Sequence, residues 1–113
     1  MNSIDKAKTI AKILDNKQGI DIKILKVGSL TVLTEYFVIC AGASTTQVKA
    51  LADEVDFIMG KDYKTEPRKI EGYNSDGWIL LDYSDVVVHV FHKNKRGFYD
   101  IERIWADSQE IDF

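Results

Sequence analysis

A single α/β domain, with a mixed sheet of about five strands flanked by helices, accounts for the apolar patterning of this 113-residue chain. The chain opens on a helix-period apolar stripe and turns at once to strand-period alternation. A second helical stripe then separates an all-apolar strand from a hairpin-like pair, making a β-helix-β unit closed by a hairpin. The length suits one hydrophobic core, so residues 1–113 are read as one domain.

Each element has a local reason. Ala7, Ile10, Ala11 and Leu14 recur at helical spacing and predict a helix over residues 3–16, capped by Asn2 or Ser3, with Gly19 just beyond its end. Ile20, Ile22 and Ile24 alternate with Asp21 and Lys23, as in a half-exposed strand. Tyr36 to Ala41 is apolar on both sides, the pattern of a central strand covered on each face. Ser44-x-x-Gln47 is a capping box that opens a second helix, whose stripe is Val48, Leu51, Ala52, Val55, Ile58 and Met59. Gly60 is expected to end that helix. Pro67 forbids helix at Glu66 and leads into a short strand near Arg68 to Glu71. A turn-rich stretch, Gly72 to Gly77, precedes two strands, Trp78 to Asp82 and Asp85 to Phe91, joined across Tyr83-Ser84 as an antiparallel hairpin. Phe98, Ile101 and Trp105 predict a final short helix, and residues 106–113 read as a partly mobile tail.

Composition narrows the classes of function. Hydrophobic residues make up 45% and charged residues 29% of the chain, with one proline, which is the balance of a folded globular protein. The longest apolar run, Tyr36 to Ala41, falls far short of the roughly 18 residues a membrane helix needs, and the start resembles no targeting segment. Cys40 is the single cysteine, which rules out an intramolecular disulfide and fits a reducing cytoplasm. His89 and His92 lack a third ligand at a recognised spacing, so neither a structural metal nor another cofactor is expected. The net charge of −3 is uneven: residues 1–26 carry +3 and residues 71–113 carry −5. An acidic half repels phosphate, so little direct nucleic-acid binding is expected.

Several residues invite a chemical reading. Asp82 and Asp85 flank the hairpin turn and suggest a metal-dependent nucleotidyl-transfer enzyme. However, two carboxylates sharing a cation from one strand need Asp-x-Asp spacing, and strand-ending aspartates more often bind turn amides. Gly28-Ser29 lacks the paired acids that such enzymes place after it, and no phosphate-cradling glycine motif is present. Cys40 and His89 would be neighbours if their strands pair, but apolar surroundings point to an inert thiol and a core imidazole. His92, Lys93, Lys95 and Arg96 form a small basic cluster that reads as a solvated loop. Large aromatics beside acids have the signature of a protein-binding surface, and Trp78, Tyr83, Tyr99 and Trp105 lie among Glu71, Asp82, Asp85 and Glu102.

The string from Trp78 to Phe91, Trp-Ile-Leu-Leu-Asp-Tyr-Ser-Asp-Val-Val-Val-His-Val-Phe, strongly resembles the ribosomal silencing factor family, also called Iojap-like. The stretch from Arg96 to Trp105 continues that likeness, Tyr36 to Asp53 looks like the family's first motif, and Glu71-Gly72 resembles the link between them. Together they cover the chain from the first helix to Trp105. Serine stands at position 84 where the family pattern carries glycine, and Ala41 and Ala43 stand where it usually carries hydroxyl residues.

The resemblance implies a nucleotidyltransferase-like topology without the active site, and hence no enzymatic activity. It implies a factor that binds large-subunit ribosomal protein fourteen, blocks joining of the two subunits and represses translation when nutrients are scarce, with a homodimer allowed off the ribosome. Glu71, Trp78, Leu80, Asp82, Tyr83, Asp85, Tyr99 and Glu102 are the contact residues that follow from it, with His89 kept as core support.

Overall fold

The computed structural model describes residues 1–75, 77–95, 103 and 106–113. Its elements are α1 (Ser3–Asn16), β1 (Ile20–Lys26), β2 (Tyr36–Gly42), α2 (Thr45–Tyr63), β3 (Lys69–Glu71), β4 (Trp78–Asp82), β5 (Val86–His92) and β6 (Gln109–Ile111). One six-stranded sheet runs in the order β3-β4-β5-β2-β1-β6. Only β2 and β5 pair in parallel, with Tyr36 opposite Val86 and Gly42 opposite His92; the other neighbours are antiparallel. The all-apolar strand is thus central, with two strands on one side and three on the other.

Strand parity assigns the faces, because alternate residues point to opposite sides. Val38 and Cys40 of β2, Ile79 and Leu81 of β4, and Val86, Val88 and Val90 of β5 turn toward the helices. There they pack with Ala7, Ile10 and Leu14 of α1 and Val48, Leu51, Val55 and Met59 of α2. The other face carries a smaller cluster, Leu25, Val27, Ile39 and Phe91, with Phe37 and Trp78 packed against it. Val27 N and Gly28 N donate to Glu35 O, closing the β1–β2 loop.

Three details depart from the sequence reading. The second helix runs past Gly60 to Tyr63, because Lys64 adopts the left-handed conformation (φ 53°) and terminates it. The N–H groups of Lys64 and Thr65 both turn back to Met59 O, satisfying a helix-end carbonyl. Residues 109–111, expected in a tail, form an edge strand on Ile24–Lys26 and bring the sheet to six strands. The predicted alternation of Ile20 with Ile22 and Ile24 is interrupted by a bulge at Asp21 (φ 50°), where the pairing with β2 slips. The third helix proposed around Phe98, Ile101 and Trp105 lies outside the described residues.

The predicted capping box forms with one change of partner. Gln47 N donates to Ser44 Oγ at 3.0 Å, while Gln47 Oε1 accepts from Ala43 N, one residue before the cap. Gln47 Nε2 also donates to Gln18 O at 3.2 Å, which ties the start of α2 to the α1–β1 turn.

The hairpin turn explains the importance of position 84. Tyr83 N donates to Val86 O at 2.9 Å, which leaves Ser84 at the tip with a φ of 73°. This region suits glycine, whose missing Cβ removes the steric cost. Ser84→Gly and Lys64→Gly are therefore each expected to raise the unfolding free energy by about 0.5–1 kcal/mol, measured by urea titration. Gly72 (φ 76°) is the opposite case, since a Cβ there would strike the Trp78 carbonyl oxygen. Gly72→Ala should cost about 1–3 kcal/mol, and equal stability of the two forms would refute this account of the turn.

Candidate functional site

Strand parity also sorts the candidate contact residues. Trp78, Leu80 and Asp82 of β4 point away from the helices, and β3 sets Glu71 opposite Leu80 and Lys69 opposite Asp82 on the same side. Leu80, Asp82, Glu71 and Lys69, with Arg68 beside them, border a depression of about 310 Å³, whose remaining walls come from Thr31, Leu33 and Thr34 of the β1–β2 loop, Phe37 of β2 and Val87 and His89 of β5; Trp78 stands outside this lining, stacked on Phe91. The sequence reading missed this loop. Its signal was Val32-Leu33 lying between strands without alternation; the structure leaves Leu33 85% exposed at the rim.

Tyr83 and Asp85 go elsewhere. Continuing the parity of Ile79 and Leu81, Tyr83 enters the helix-side core and is only 5% exposed, so it is not a surface ring. Burial first, then the charges of Asp56 and Glu66, raise the pKa of its hydroxyl beyond the usual phenol range. Asp85 lies past the turn and accepts from Lys6 Nζ of α1 at 2.7 Å. Its carbonyl also receives the N–H groups of Glu35 and Tyr36, pinning the hairpin to the start of β2. Tyr99 and Glu102 lie outside the described residues.

The expected acidic patch is largely neutralised within the chain. Asp82 Oδ2 accepts from Arg68 Nη2 at 2.7 Å, while Asp82 Oδ1 accepts from Ser84 N at 2.8 Å. Glu71 meets Lys69 at 2.8 Å. Burial would raise the Asp82 pKa, but the Arg68 and Ser84 hydrogen bonds and the charges of Arg68 and Lys69 outweigh it and hold the carboxyl below its ordinary range. A count of acids along the chain could not see these partners. Asp82 and Asp85 are tied to different cations, one on β4 and one facing α1, so they do not form the carboxylate pair a nucleotidyl-transfer centre would need.

Cys40 and His89 occupy neighbouring strands, yet Cys40 faces the helices and His89 the other side, so no thiol-imidazole pair forms. The His89 ring is ringed by aromatics: Phe37 meets it edge-on at 4.9 Å between centroids, and Phe91 and Trp78 stack at 5.9 and 6.3 Å. Neither ring nitrogen has a hydrogen-bond partner. Burial pushes its pKa down to about 4, so the ring is neutral at pH 7. His92 Nδ1 accepts from Asn94 N at 3.2 Å, which gives this member of the basic cluster a local capping role.

Among the described residues, no group of three His, Cys, Asp or Glu side chains is arranged to hold a metal ion. No described helix is long and apolar enough to cross a membrane. Fold and site together define a small α/β domain with a partly apolar depression on its open sheet face, bordered by the ion pairs Arg68–Asp82 and Lys69–Glu71.

Comparison with known proteins places that domain. A family model described as "Ribosomal silencing factor during starvation" matches residues 1–113. The Ribosomal silencing factor RsfS of Bacillus subtilis is 38% identical over the whole chain and 97% of its own length. A crystal structure of a protein from Chromobacterium violaceum superposes with a TM-score of 0.89 at 35% identity, covering 100% of this chain and 92% of that one. The Mus musculus protein named "Mitochondrial assembly of ribosomal large subunit protein 1" is 30% identical over 86% of this chain and 43% of its own length. The chain belongs to the ribosomal silencing factor family, whose named members are regulatory factors.

The buried imidazole sets an acid limit on the fold. Unfolded, His89 takes a proton below its ordinary pKa of 6.5; folded, it refuses one until about pH 4. Stability should therefore fall as pH drops from 6.5 to 4, by up to about 1.4 kcal/mol per pH unit. Denaturant titrations of His89→Phe should lose this slope, leaving the separate decline below about pH 4 in which Asp82 takes part. A slope that survives the substitution would assign the acid sensitivity to another group.

Proposed function

We propose that this protein acts in the cytoplasm as a silencing factor that binds large-subunit ribosomal protein fourteen and prevents the small subunit from joining. Family membership supports a regulatory role on the ribosome. The name of the mouse relative, which refers to assembly of the large subunit, supports that subunit as the partner. One observation carries the choice of surface: Glu71, Leu80 and Asp82 line the same depression beside the exposed Leu33, with Trp78 on the same face of β4. These four residues form the contact on this reading, with Tyr99 and Glu102 belonging to the same proposed set. Tyr83 and Asp85 act indirectly, by holding the hairpin.

Such a factor needs no turnover, because occupying the face is enough to exclude the other subunit. Affinity then comes from a few buried side chains at the centre of the contact, with the paired charges forming its rim. Arg68, Lys69 and Glu71 are exposed and only Asp82 is largely covered, so these pairs stay at the solvated rim and add little to affinity.

Co-sedimentation with purified large subunits, together with a subunit-joining assay, tests the proposal. Leu80→Asp should weaken sedimentation at least tenfold and restore joining, while Tyr83→Phe should bind as the wild type does. Wild-type protein that neither sediments with large subunits nor slows joining would remove the proposal.

A further inference from the structure

We propose that His89 is the specificity-determining contact in the depression, hydrogen-bonding a neutral hydroxyl or amide that the docked ribosomal protein carries on an apolar stem. This rests on the reading above and adds to it the chemistry of the group that enters.

The imidazole is 6% exposed, it lines the depression, and both of its nitrogens lack a partner within the chain. A buried polar group left unpaired works against folding, and one retained beneath a surface hollow points to a partner that enters from that side. A core role alone would be served better by phenylalanine, which would continue the stack of Phe91 and Trp78. The neutral ring has one donor and one acceptor, so it can meet a hydroxyl or an amide whichever way that group is oriented.

The walls select the rest of the incoming side chain. Leu33, Phe37, Leu80 and Val87 give it an apolar passage. The flanking charges, Arg68 with Asp82 and Lys69 with Glu71, are already engaged with one another, so an ammonium or carboxylate tip would lose water without gaining an unpaired counter-charge. Leu33 belongs to an exposed loop, so this wall yields to an entering group without disturbing the core. Shielded from bulk water, a hydrogen bond made there discriminates more strongly than one on the rim.

Wild type, His89→Phe and His89→Gln are compared by co-sedimentation with isolated large subunits and by thermal unfolding. His89→Phe should melt at a higher temperature, because the unpaired polar group is gone, and yet bind about tenfold more weakly; His89→Gln should recover part of the binding. A purely structural histidine would not separate the two readouts in this way. His89→Phe protein that sediments as tightly as wild type overturns the assignment and leaves the proposed function standing. Wild type that does not sediment removes both. Should His89→Phe fail to fold, the imidazole nitrogen shifts of the wild type decide during titration with isolated large-subunit ribosomal protein fourteen. They must move to hydrogen-bonded values on docking. Shifts that stay fixed, or that already show hydrogen bonding to internal water in the free protein, overturn it.

Discussion

The parallel pairing of β2 with β5 is the constraint from which the rest of the molecule follows. With Tyr36 opposite Val86, every even residue of β5 from Val86 to Val90 faces the helices and every odd one, including His89 and Phe91, faces away. The hairpin carries this parity to β4, and β4 carries it to β3. A slip of one residue would bury Trp78, Leu80 and Asp82 beneath the helices and expose Ile79 and Leu81, so register here determines both core and site. Buried on both faces, β2 gives that register little freedom.

A segment carrying −5 suggests electrostatic capture, but its three described candidate acids each meet a cation supplied by this chain. Lys6 comes from the opposite end of the sequence, Arg68 from the position just before β3, and Lys69 from β3 itself, two residues from Glu71. Paired in this way, the carboxylates steady the hairpin and the β3 edge, and long-range attraction is reduced to what the remaining surface provides. Recognition at this face then depends on shape and on hydrogen bonds made out of water's reach, with net charge secondary.

Much of this was legible in the sequence, for definite physical reasons. The central place of Tyr36–Gly42, the capped start of α2 and the β4–β5 hairpin each rest on local signals: two-sided apolarity, a serine-glutamine pair and a two-residue gap. The burial of Tyr83 was legible too, since counting by twos from Ile79 leads into the core; its aromatic character suggested an anchor and obscured its parity. Other features were not legible. The Lys6–Asp85 pair spans 79 positions, β6 is three residues long, and the left-handed cap falls on a lysine, where composition points to the nearby glycine. The depression itself arises from four strands and a loop that meet only in the folded chain.

A protein that works by occupying a surface has no reaction cycle to accommodate, so its contact face can be as rigid as the fold allows. This fold places the face on sheet, with Leu80 and His89 directly opposite one another on paired strands and Phe37 packed edge-on against the imidazole. A rigid platform of this kind loses little side-chain entropy on docking, which favours affinity over adaptability. The loop bearing Val32 and Leu33 stands exposed at the rim, and it is tethered at its base by two N–H bonds to Glu35. Stiffness in the sheet and compliance at one edge let the same chain hold a fixed register and still close an apolar side chain over what enters. Any gain in fold stability obtained by filling the hollow or removing the unpaired imidazole would come at the expense of that contact, which is the opposition between stability and function expected of a built binding site.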